Sequence, residues 1–310
     1  MRVLIAGGSG FLGTALRKSL EHNGHDVHIL TRSAPRSPNE IQWDGETTTG
    51  WGRVMNEIDA VVNFTGYGLE HWPWNAKQKQ KFLDSRTLPG RALTSAIQNA
   101  SHPPRVLIQA SGVNRYGLRG ETIADESTPP ARDFLAQLTV PWEDATKPVE
   151  RLGIRRIVIR NAVVLARRGG LFPLMTLAPR LFFGGRFGDG QQAMPWIHVS
   201  DHIRATRFLL ENEHAHGPFN LIAPQQTSNA EFMRAVARAL RRPYWFHPPR
   251  GLLRLVLGEM SVLLTEGRFS QPKRLIELGF QFQFGTLKVA LEDLLRSGQP
   301  SPRSTRMSGR

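Results

Sequence analysis

Short apolar runs, glycine turns and helical patterns alternate along the first half of the chain. Val3 to Ala6 form an apolar run typical of strands buried on both faces, and glycines end it before an amphipathic pattern begins at Phe11. A second apolar run, Val27 to Leu30, follows the polar turn after that pattern. The alternation predicts a strand, a glycine turn, a helix and a second strand.

The same alternation continues along the chain. Further strands are predicted at 41–44, 59–66, 105–110 and 155–160, with helices at 75–99 and 134–150. Strands that alternate with helices predict a parallel sheet with helices on both faces. We therefore expect an α/β fold: a doubly wound parallel sheet over residues 1–160, with a smaller mixed α/β substrate-side region over 161–296 interleaved with the last core strands and helices.

The glycine turn carries the first chemical signal. Gly8-x-Gly10-x-x-Gly13 has the spacing of a dinucleotide-binding Rossmann turn, in which glycines allow a tight bend, a close approach of backbone N–H groups to a pyrophosphate, and helix–strand packing. The helix that follows presents its positive end to the same pyrophosphate. A purely structural turn is the alternative. The predicted cofactor contacts here are Gly7, Gly8, Gly10, Phe11, Leu12 and Gly13.

The residues after the second strand favour one cofactor over another. NAD(H) is usually met near this point by a carboxylate on its ribose hydroxyl, whereas this chain has Thr31 and Arg32. A guanidinium matches a phosphate, so we predict NADP(H) rather than NAD(H), with a solvent-exposed loop arginine as the alternative for Arg32.

Other strand ends complete the predicted cofactor site. Parallel sheets bind ligands at the carboxyl ends of their strands. We expect the adenosine and pyrophosphate to lie along Asp44, Phe64, Thr65 and Gly66. Arg86 from the long helix and Arg160 at the end of the sixth strand complete the predicted site.

Composition excludes several classes of chemistry. The chain has no cysteine, so disulfides, thiolate zinc sites and thiol catalysis are excluded, and no metal site is predicted. The net charge of +14 suggests nucleic acid, but the arginines are scattered and no nucleic-acid-binding motif accompanies them. We therefore expect no nucleic-acid partner. A basic, Ser/Pro/Gly-rich tail at 297–310 is expected to be disordered.

Apolar stretches bear on membranes and assembly. The run at the N-terminus is too short for a membrane span and leads directly into a strand, so neither a signal peptide nor a transmembrane helix is predicted. We expect a cytoplasmic protein with no membrane partner. The apolar block at 252–264 predicts either a buried helix or the surface of a homodimer.

Several segments together resemble the extended short-chain dehydrogenase/reductases of the NAD(P)-dependent epimerase/dehydratase superfamily: GGSGFLG, NFTG, QASGVNRYG and WIHVSD. The segments SRTLPGRAL, RNAVVLARRGG, LRLVLGEMSVLLTEG and QPKRLIELGF resemble more closely an atypical branch called the epimerase family, which has a C-terminal domain of unknown function. This resemblance covers residues 1–295. It implies an NADP(H)-binding protein with an unassigned substrate.

The chain departs from that superfamily at the catalytic residues. The resemblance implies a serine that holds the substrate oxygen, a tyrosine that transfers a proton, and a lysine that makes the tyrosine more acidic. Ser111 matches the serine, but Leu135 and Thr139 stand where the Tyr-x-x-x-Lys pair is expected. Tyr116 is the remaining candidate acid/base, expected at the rim of the cofactor cleft. Its alternative role is structural packing of the loop after the fifth strand.

Two functions remain in view. The first is an oxidoreductase or nucleotide-sugar epimerase-like enzyme that uses NADP(H) on an alcohol or carbonyl carbon, with Ser111 and Tyr116 as catalytic residues and an unidentified small-molecule substrate. The alternative is a dinucleotide-binding sensor or interaction protein without catalysis, favoured by the missing Tyr-Lys pair.

Overall fold

Parallel strands form the centre of the molecule. The computed structural model describes residues 1–120 and 122–295, and the tail predicted at 297–310 lies outside the described residues. The strands are β1 (Arg2–Ala6), β2 (Asp26–Thr31), β3 (Glu40–Gln42), β4 (Ala60–Asn63), β5 (Val106–Gly112), β6 (Arg155–Asn161), β7 (Val163–Leu165), β8 (Trp196–His198) and β9 (Gly217–Leu221).

Helices of very different lengths connect and cover these strands. They are α1 (Phe11–His22), α2 (Ala76–Gln98), α3 (Phe134–Asp144), α4 (Phe172–Met175), α5 (Leu177–Arg180), α6 (Val199–Glu211), α7 (Asn229–Leu240), α8 (Arg250–Leu257), α9 (Val262–Thr265), α10 (Lys273–Glu277) and α11 (Leu287–Leu295). Short 3-10 segments lie at Gly52–Glu57, Val113–Tyr116, Lys147–Leu152 and Gly258–Ser261.

The strand order confirms the doubly wound α/β prediction. In the described ranges, the main sheet runs β3-β2-β1-β4-β5-β6-β9, and each neighbouring pair is parallel. The chain leaves β1 toward β2 on one side and later returns to β4 on the other. This reversal places a crevice at the carboxyl ends of β1 and β4, where such sheets bind ligands.

Apolar side chains cover both faces of this sheet. Leu16 and Leu20 of α1 and Leu209 of α6 are buried on one face. Leu93 and Ile97 of α2 belong to the cluster on the other. Because both faces are covered, the strands carry continuous apolar runs, and these made β1 and β4 visible in the sequence.

The second half of the chain adds a smaller layer and returns to the main sheet. β7 and β8 pair with each other, and a third apolar cluster joins them to α7 and α11 through residues such as Trp196, Phe232 and Leu291. β9 then pairs with β6 and extends the sheet. The two parts of the chain are therefore interleaved in space.

The apolar block at 252–264 does not form a buried helix. It divides into α8, a 3-10 turn and α9, and no residue of α8 is buried. Leu255 has 83% of its surface exposed. The buried-helix interpretation is wrong because α8 packs mainly on the turn that follows it, while the homodimer surface stays a prediction. No helix in the described ranges is long and apolar enough to cross a bilayer.

Candidate functional site

The turn between β1 and α1 has no room for side chains. Gly7 adopts a φ of +79°, and its carbonyl oxygen accepts a hydrogen bond of 3.0 Å from the Gly10 amide. A Cβ atom on Gly13 would lie 2.2 Å from that oxygen, and one on Gly8 would lie 2.3 Å from Cγ2 of Ile29. The glycine spacing in the sequence thus corresponds to close backbone contacts.

The first turn of α1 is open to an anion. Gly10 caps the helix without a side-chain hydrogen bond, and no acidic residue lies in the first turn. The amides of Phe11, Leu12 and Gly13 therefore point outward from a positive helix end without a side-chain acceptor. Gly169 packs on the Phe11 ring, since a Cβ there would lie 2.6 Å from Cδ2. The loop after β7 therefore lies against this helix start.

Arg32 is placed to meet a second anion. It is exposed at the end of β2, and its guanidinium has no hydrogen bond or ion pair within residues 1–120 and 122–295. The neighbouring Thr31 is buried, and its Oγ1 accepts a hydrogen bond of 3.2 Å from the Ser33 amide, which fixes the backbone here. Arg32 is thus held at a strand end with its positive charge uncompensated.

The carboxylate of Asp44 is engaged in its own turn. It accepts hydrogen bonds from the Thr47 hydroxyl at 2.6 Å and from the amides of Thr47 and Glu46, each at 2.8 Å. The bond from the Thr47 hydroxyl, with those from the amides, lowers the pKa of Asp44 to about 2. Asp44 therefore shapes the loop beyond β3 while its oxygens face the turn.

A buried amide holds the end of β4. Oδ1 of Asn63 accepts hydrogen bonds from the amide of Thr65 at 3.1 Å and from its hydroxyl at 2.6 Å. The Phe64 carbonyl carbon lies 3.1 Å from where a Cβ on Gly7 would be. Phe64 and Thr65 therefore form a wall facing the glycine turn, and Gly66 continues this wall toward Arg86. Their contact with the cofactor stays a prediction.

Arg86 lies behind that wall. Its Nη1 donates to the main-chain oxygens of Tyr67 and Phe82, both at 2.9 Å, and its guanidinium stacks over Trp142 at 4.8 Å. Burial lowers the pKa of Arg86 to about 10, and its Nε has no hydrogen-bond acceptor among residues 1–120 and 122–295. The guanidinium carbon is 3.6 Å from where a Cβ on Gly66 would be. A buried donor without an acceptor beside the glycine wall fits an oxygen-rich ligand such as a dinucleotide.

A buried ionic network, which we call the Glu143 cluster, occupies the ends of β5 and β6. It comprises Ser111, Tyr116, Glu143 and Arg160 with their partners Glu126 and Asn220. Ser111 Oγ donates to Glu143 Oε1 at 2.7 Å. Arg160 donates to both carboxylate oxygens, from Nε at 2.9 Å and from Nη2 at 3.1 Å. Arg115 Nη1 lies 3.4 Å from Oε2 of the same carboxylate.

Tyr116 links the Glu143 cluster to β9. Its hydroxyl accepts from Nη1 of Arg160 at 2.8 Å and donates to Oδ1 of Asn220 at 2.6 Å. The main-chain N–H of Asn220 in turn donates to Oε1 of Glu126 at 2.9 Å. Burial raises the pKa of Tyr116 to about 12.

One sequence-based placement needs correction. Tyr116 is completely buried rather than at the rim of a cleft, because its ring packs with Val113 and Ile222 and its hydroxyl has both partners inside the protein. Arg160 is buried and donates to Glu143 and Tyr116, and its contact with a cofactor stays a prediction. Ser111 lies at the carboxyl end of β5 as predicted, but it is buried and its proton is directed to Glu143.

The positions of the missing Tyr-Lys pair hold no proton-transfer group. Leu135 is buried in an apolar cluster with Trp74 and Phe82. The Thr139 hydroxyl donates to the main-chain oxygen of Ala136 at 2.7 Å, and its methyl group is 3.9 Å from where a Cβ on Gly112 would be. Helix α3 therefore faces the end of β5. The two positions hold an aliphatic side chain, Leu135, and a hydroxyl, Thr139, whose proton is donated within the same helix.

Glu143, Glu126 and Asn220 were not predicted as site residues from the sequence. A signal was present, because a strand that carries Arg156 and Arg160 within an apolar run needs buried acceptors. Glu143 is the acid within the apolar stretch of α3, and it also accepts from Arg156 through its main-chain oxygen. Its partners in space could not be paired from spacing alone. No group of three or more acidic or histidine side chains that could bind a metal occurs among the described residues.

Comparisons with known proteins agree with this architecture. The model of the NAD dependent epimerase/dehydratase family matches residues 3–142, and that of a domain of unknown function, DUF1731, matches residues 248–294. The chain is 35% identical to the epimerase family protein YfhF of Bacillus subtilis over 300 residues, which are 95% of this chain and 98% of that protein. It is 37% identical to the epimerase family protein SDR39U1 of Bos taurus, covering 95% and 100%.

A solved structure shows the same arrangement. The human epimerase family protein SDR39U1, isoform 2, crystallised with NADPH, matches with a TM-score of 0.87 and 34% sequence identity. The match covers 95% of this chain and 99% of that one. The likeness of the fold therefore extends over nearly the full length of both chains.

Proposed function

The chain belongs to the NAD dependent epimerase/dehydratase family, within its epimerase family proteins, and from this membership we propose that it binds NADP(H). The observation that carries the proposal is the exposed, unpaired Arg32 at the end of β2. A cofactor with a 2′-phosphate would give that guanidinium an anionic partner. The NADPH bound to the human relative supports the same choice.

The described residues divide the cofactor between them. Gly8, Gly10 and Gly13, with the open amides at the start of α1, would hold the pyrophosphate. Thr65 and Gly66, with Arg86 behind them, would line the next part of the crevice. When bound, the cofactor exchanges a hydride with an alcohol or carbonyl carbon.

The cofactor choice is tested by Arg32→Gln, with the exposed Arg36→Gln as the matched control. We expect Arg32→Gln to weaken NADPH binding by about 10- to 100-fold, because a charge-assisted hydrogen bond contributes about 1.5–3 kcal/mol, and to leave NADH binding unchanged. Isothermal titration with both cofactors measures this. Equal affinity of the wild-type protein for NADPH and NADH would contradict the assignment.

The chemistry we propose is oxidoreductase or nucleotide-sugar epimerase-like, on an alcohol or carbonyl carbon. Ser111 supplies a hydroxyl at the carboxyl end of β5 and donates a 2.7 Å hydrogen bond to the Glu143 carboxylate. A proton removed from a substrate hydroxyl could pass through Ser111 to this carboxylate. Turnover of pools of sugar nucleotides, aldehydes and quinones should fall in Ser111→Ala and stay unchanged in the exposed Ser127→Ala. Product analysis must accompany the reduced-nicotinamide absorbance, since epimerisation leaves no net redox signal.

A dinucleotide sensor is the second candidate, and one observation favours it. Leu135 and Thr139 fill the positions of the tyrosine and lysine with buried, non-titrating side chains. A sensor would bind NADPH tightly and show no turnover or epimerised product with any pool. Turnover that disappears in Ser111→Ala would exclude it.

A further inference from the structure

Two segments of the second half share an unusual composition. Residues 166–187 and 241–257 contain four arginines each and no aspartate or glutamate. Both are also rich in leucine and aromatic residues. We call the surface that they form the arginine-apolar surface.

Main-chain hydrogen bonds join the two segments. The amides of Trp245 and Phe246 donate to the Gly184 oxygen at 2.9 and 3.0 Å, and the Trp245 indole donates to the Phe182 oxygen at 2.9 Å. The rings of Phe183, Trp245 and Phe246 lie 5.8–5.9 Å apart. The segments therefore form one continuous surface.

Large apolar side chains on this surface face solvent. In the first segment, Leu174 is 62% exposed and Leu181 58%. In the second, Trp245 is 57% exposed and Leu255 83%. Helix α8 buries none of its own residues, and its Leu252, Leu255 and Val256 side chains are exposed. Exposed apolar area of this extent marks an interaction site.

Several arginines on the same surface are available to an anion, whereas Arg167 pairs with Asp293 and Arg250 with Asp189, each at 3.9 Å. Arg180, Arg241 and Arg254 are exposed and have no ion pair in residues 1–120 and 122–295. Arg242 lies over the Phe182 ring at 4.3 Å, which keeps its charge beside the apolar surface. Positive charges and apolar side chains are thus interspersed.

The positive charge of the arginine-apolar surface indicates what kind of partner it binds. A second copy docked through this face would bring two sets of arginines together, which is repulsive. Residues 296–310 carry further arginines and no acid, so they do not complement the surface either. A bilayer containing anionic lipid supplies both a negative surface and hydrocarbon.

We propose that the arginine-apolar surface binds the surface of anionic lipid membranes, with Leu255, Trp245 and Phe183 entering the interface and the arginines contacting headgroup phosphates. Eight residues, the length of α8, are too few to span a bilayer. The attachment is therefore peripheral. It departs from the expectation of no membrane partner, which rested on the lack of a predicted transmembrane segment. This proposal does not depend on the cofactor or the reaction.

The test is flotation of the full chain with vesicles of phosphatidylcholine alone or mixed with phosphatidylglycerol. We expect binding to the phosphatidylglycerol vesicles, loss of binding in high salt, and little binding to phosphatidylcholine. Leu255→Ser should weaken binding about tenfold or more, and Arg241→Gln with Arg242→Gln about fivefold for each arginine removed.

Matched controls lie outside the surface. Ile276→Ser removes an apolar side chain that is 50% exposed on α10, and Arg36→Gln removes an exposed arginine of the sheet domain. Both should bind vesicles as the wild type does, with urea unfolding confirming that every variant is folded. Three results would overturn the proposal. They are no flotation with phosphatidylglycerol vesicles, an equal loss of vesicle binding in the control variants, or a wild-type protein that does not float and forms a dimer that Leu255→Ser dissociates.

Discussion

The glycine turn and the Glu143 cluster lie at the same edge of the sheet and are built in opposite ways. The turn is formed by backbone atoms within residues 7–13, and the amides at the start of α1 that follow Gly10 face outward without a side-chain acceptor. The cluster joins side chains from β5, α3, β6 and β9, and its hydrogen bonds are closed on one another. The turn is therefore suited to bind a ligand, whereas the cluster fastens strands and helices together.

This difference separates cofactor binding from catalysis. The turn requires glycine at positions 8 and 13 because a side chain there would collide with neighbouring atoms. This requirement does not depend on which reaction takes place beside the turn. The groups that would perform acid–base chemistry, Ser111 and Tyr116, are engaged in the cluster. A cofactor site can thus persist while the chemistry beside it changes.

Removing charge from the cluster should have the largest effect. We expect Glu143→Gln to lower the free energy of unfolding by about 3–5 kcal/mol, because Arg160 would remain buried without its counter-charge. Urea denaturation measures the change. Glu150→Gln is the control, since its carboxylate pairs with Arg156 at 2.8 Å but is 45% exposed, and it should lose less than about 1 kcal/mol.

A double variant sharpens that result. Glu143→Met combined with Arg160→Met removes both charges, so it should be markedly more stable than Glu143→Gln alone. If Glu143→Gln unfolds with nearly wild-type stability, the cluster does not fasten the fold and the comparison with the turn fails.

Adding a methyl group should be sufficient to disrupt the turn. Gly13→Ala places a Cβ 2.2 Å from the Gly7 oxygen and 2.6 Å from the Gly8 Cα, and backbone atoms cannot rotate away. We expect a loss of about 1–3 kcal/mol in stability, with tenfold or weaker NADPH binding in a titration. Gly251→Ala, where a Cβ meets nothing within 4 Å, should bind normally. Wild-type NADPH affinity in Gly13→Ala would show that the turn is not the cradle.

The same contrast explains what the sequence could predict. The fold was predictable because buried strands such as β1 and β4 have continuous apolar runs, and glycine spacing reports backbone geometry directly. The predicted strand over 59–66 ends at Asn63, because the Asn63 side chain binds the Thr65 amide and bends the chain there. Such side-chain-to-backbone bonds leave little trace in a hydropathy pattern.

The Glu143 cluster could not be assembled from the sequence for a different reason. Tyr116 and Asn220 are 104 positions apart and meet only because β9 joins the sheet beside β6. The spacing from Ser111 predicted Tyr116 at the rim of a cleft, whereas the long-range pairing of β6 with β9 places it in the interior. Arg160 likewise meets buried partners that its position in the sequence does not reveal.

His202 is buried beside Phe64 and Asn161 and makes the stability of the fold depend on pH. Its ring is 6.1 Å from that of Phe64, its Nε2 hydrogen-bonds Asn161 at 2.9 Å, and burial lowers its pKa to about 3. The folded state therefore binds fewer protons than the unfolded state, whose His202 has an ordinary value of 6.5, so stability falls as pH drops below 6.5.

By about pH 5 this histidine should account for about 2 kcal/mol of lost stability. His202→Gln keeps a hydrogen-bond donor without titrating, so its stability should fall less than that of the wild type over the same range. Urea unfolding at several pH values measures the difference, with exposed His102→Gln as the control. Parallel losses in wild type and His202→Gln would mean that protonation of this residue does not act on the fold.

Tyr116→Phe should give the smallest loss in the free energy of unfolding, and it tests whether Tyr116 takes part in the chemistry. Removing the hydroxyl leaves Asn220 Oδ1 without its donor, while Arg160 keeps both bonds to Glu143, so the expected loss is about 1–2 kcal/mol. The raised tyrosine pKa of about 12 means that wild-type stability falls as pH rises from 10 toward 12, because the unfolded state loses its proton first. Tyr116→Phe should lose less stability over that range and should keep full NADPH binding and turnover. A large fall in turnover with unchanged stability would place Tyr116 in the reaction together with Ser111.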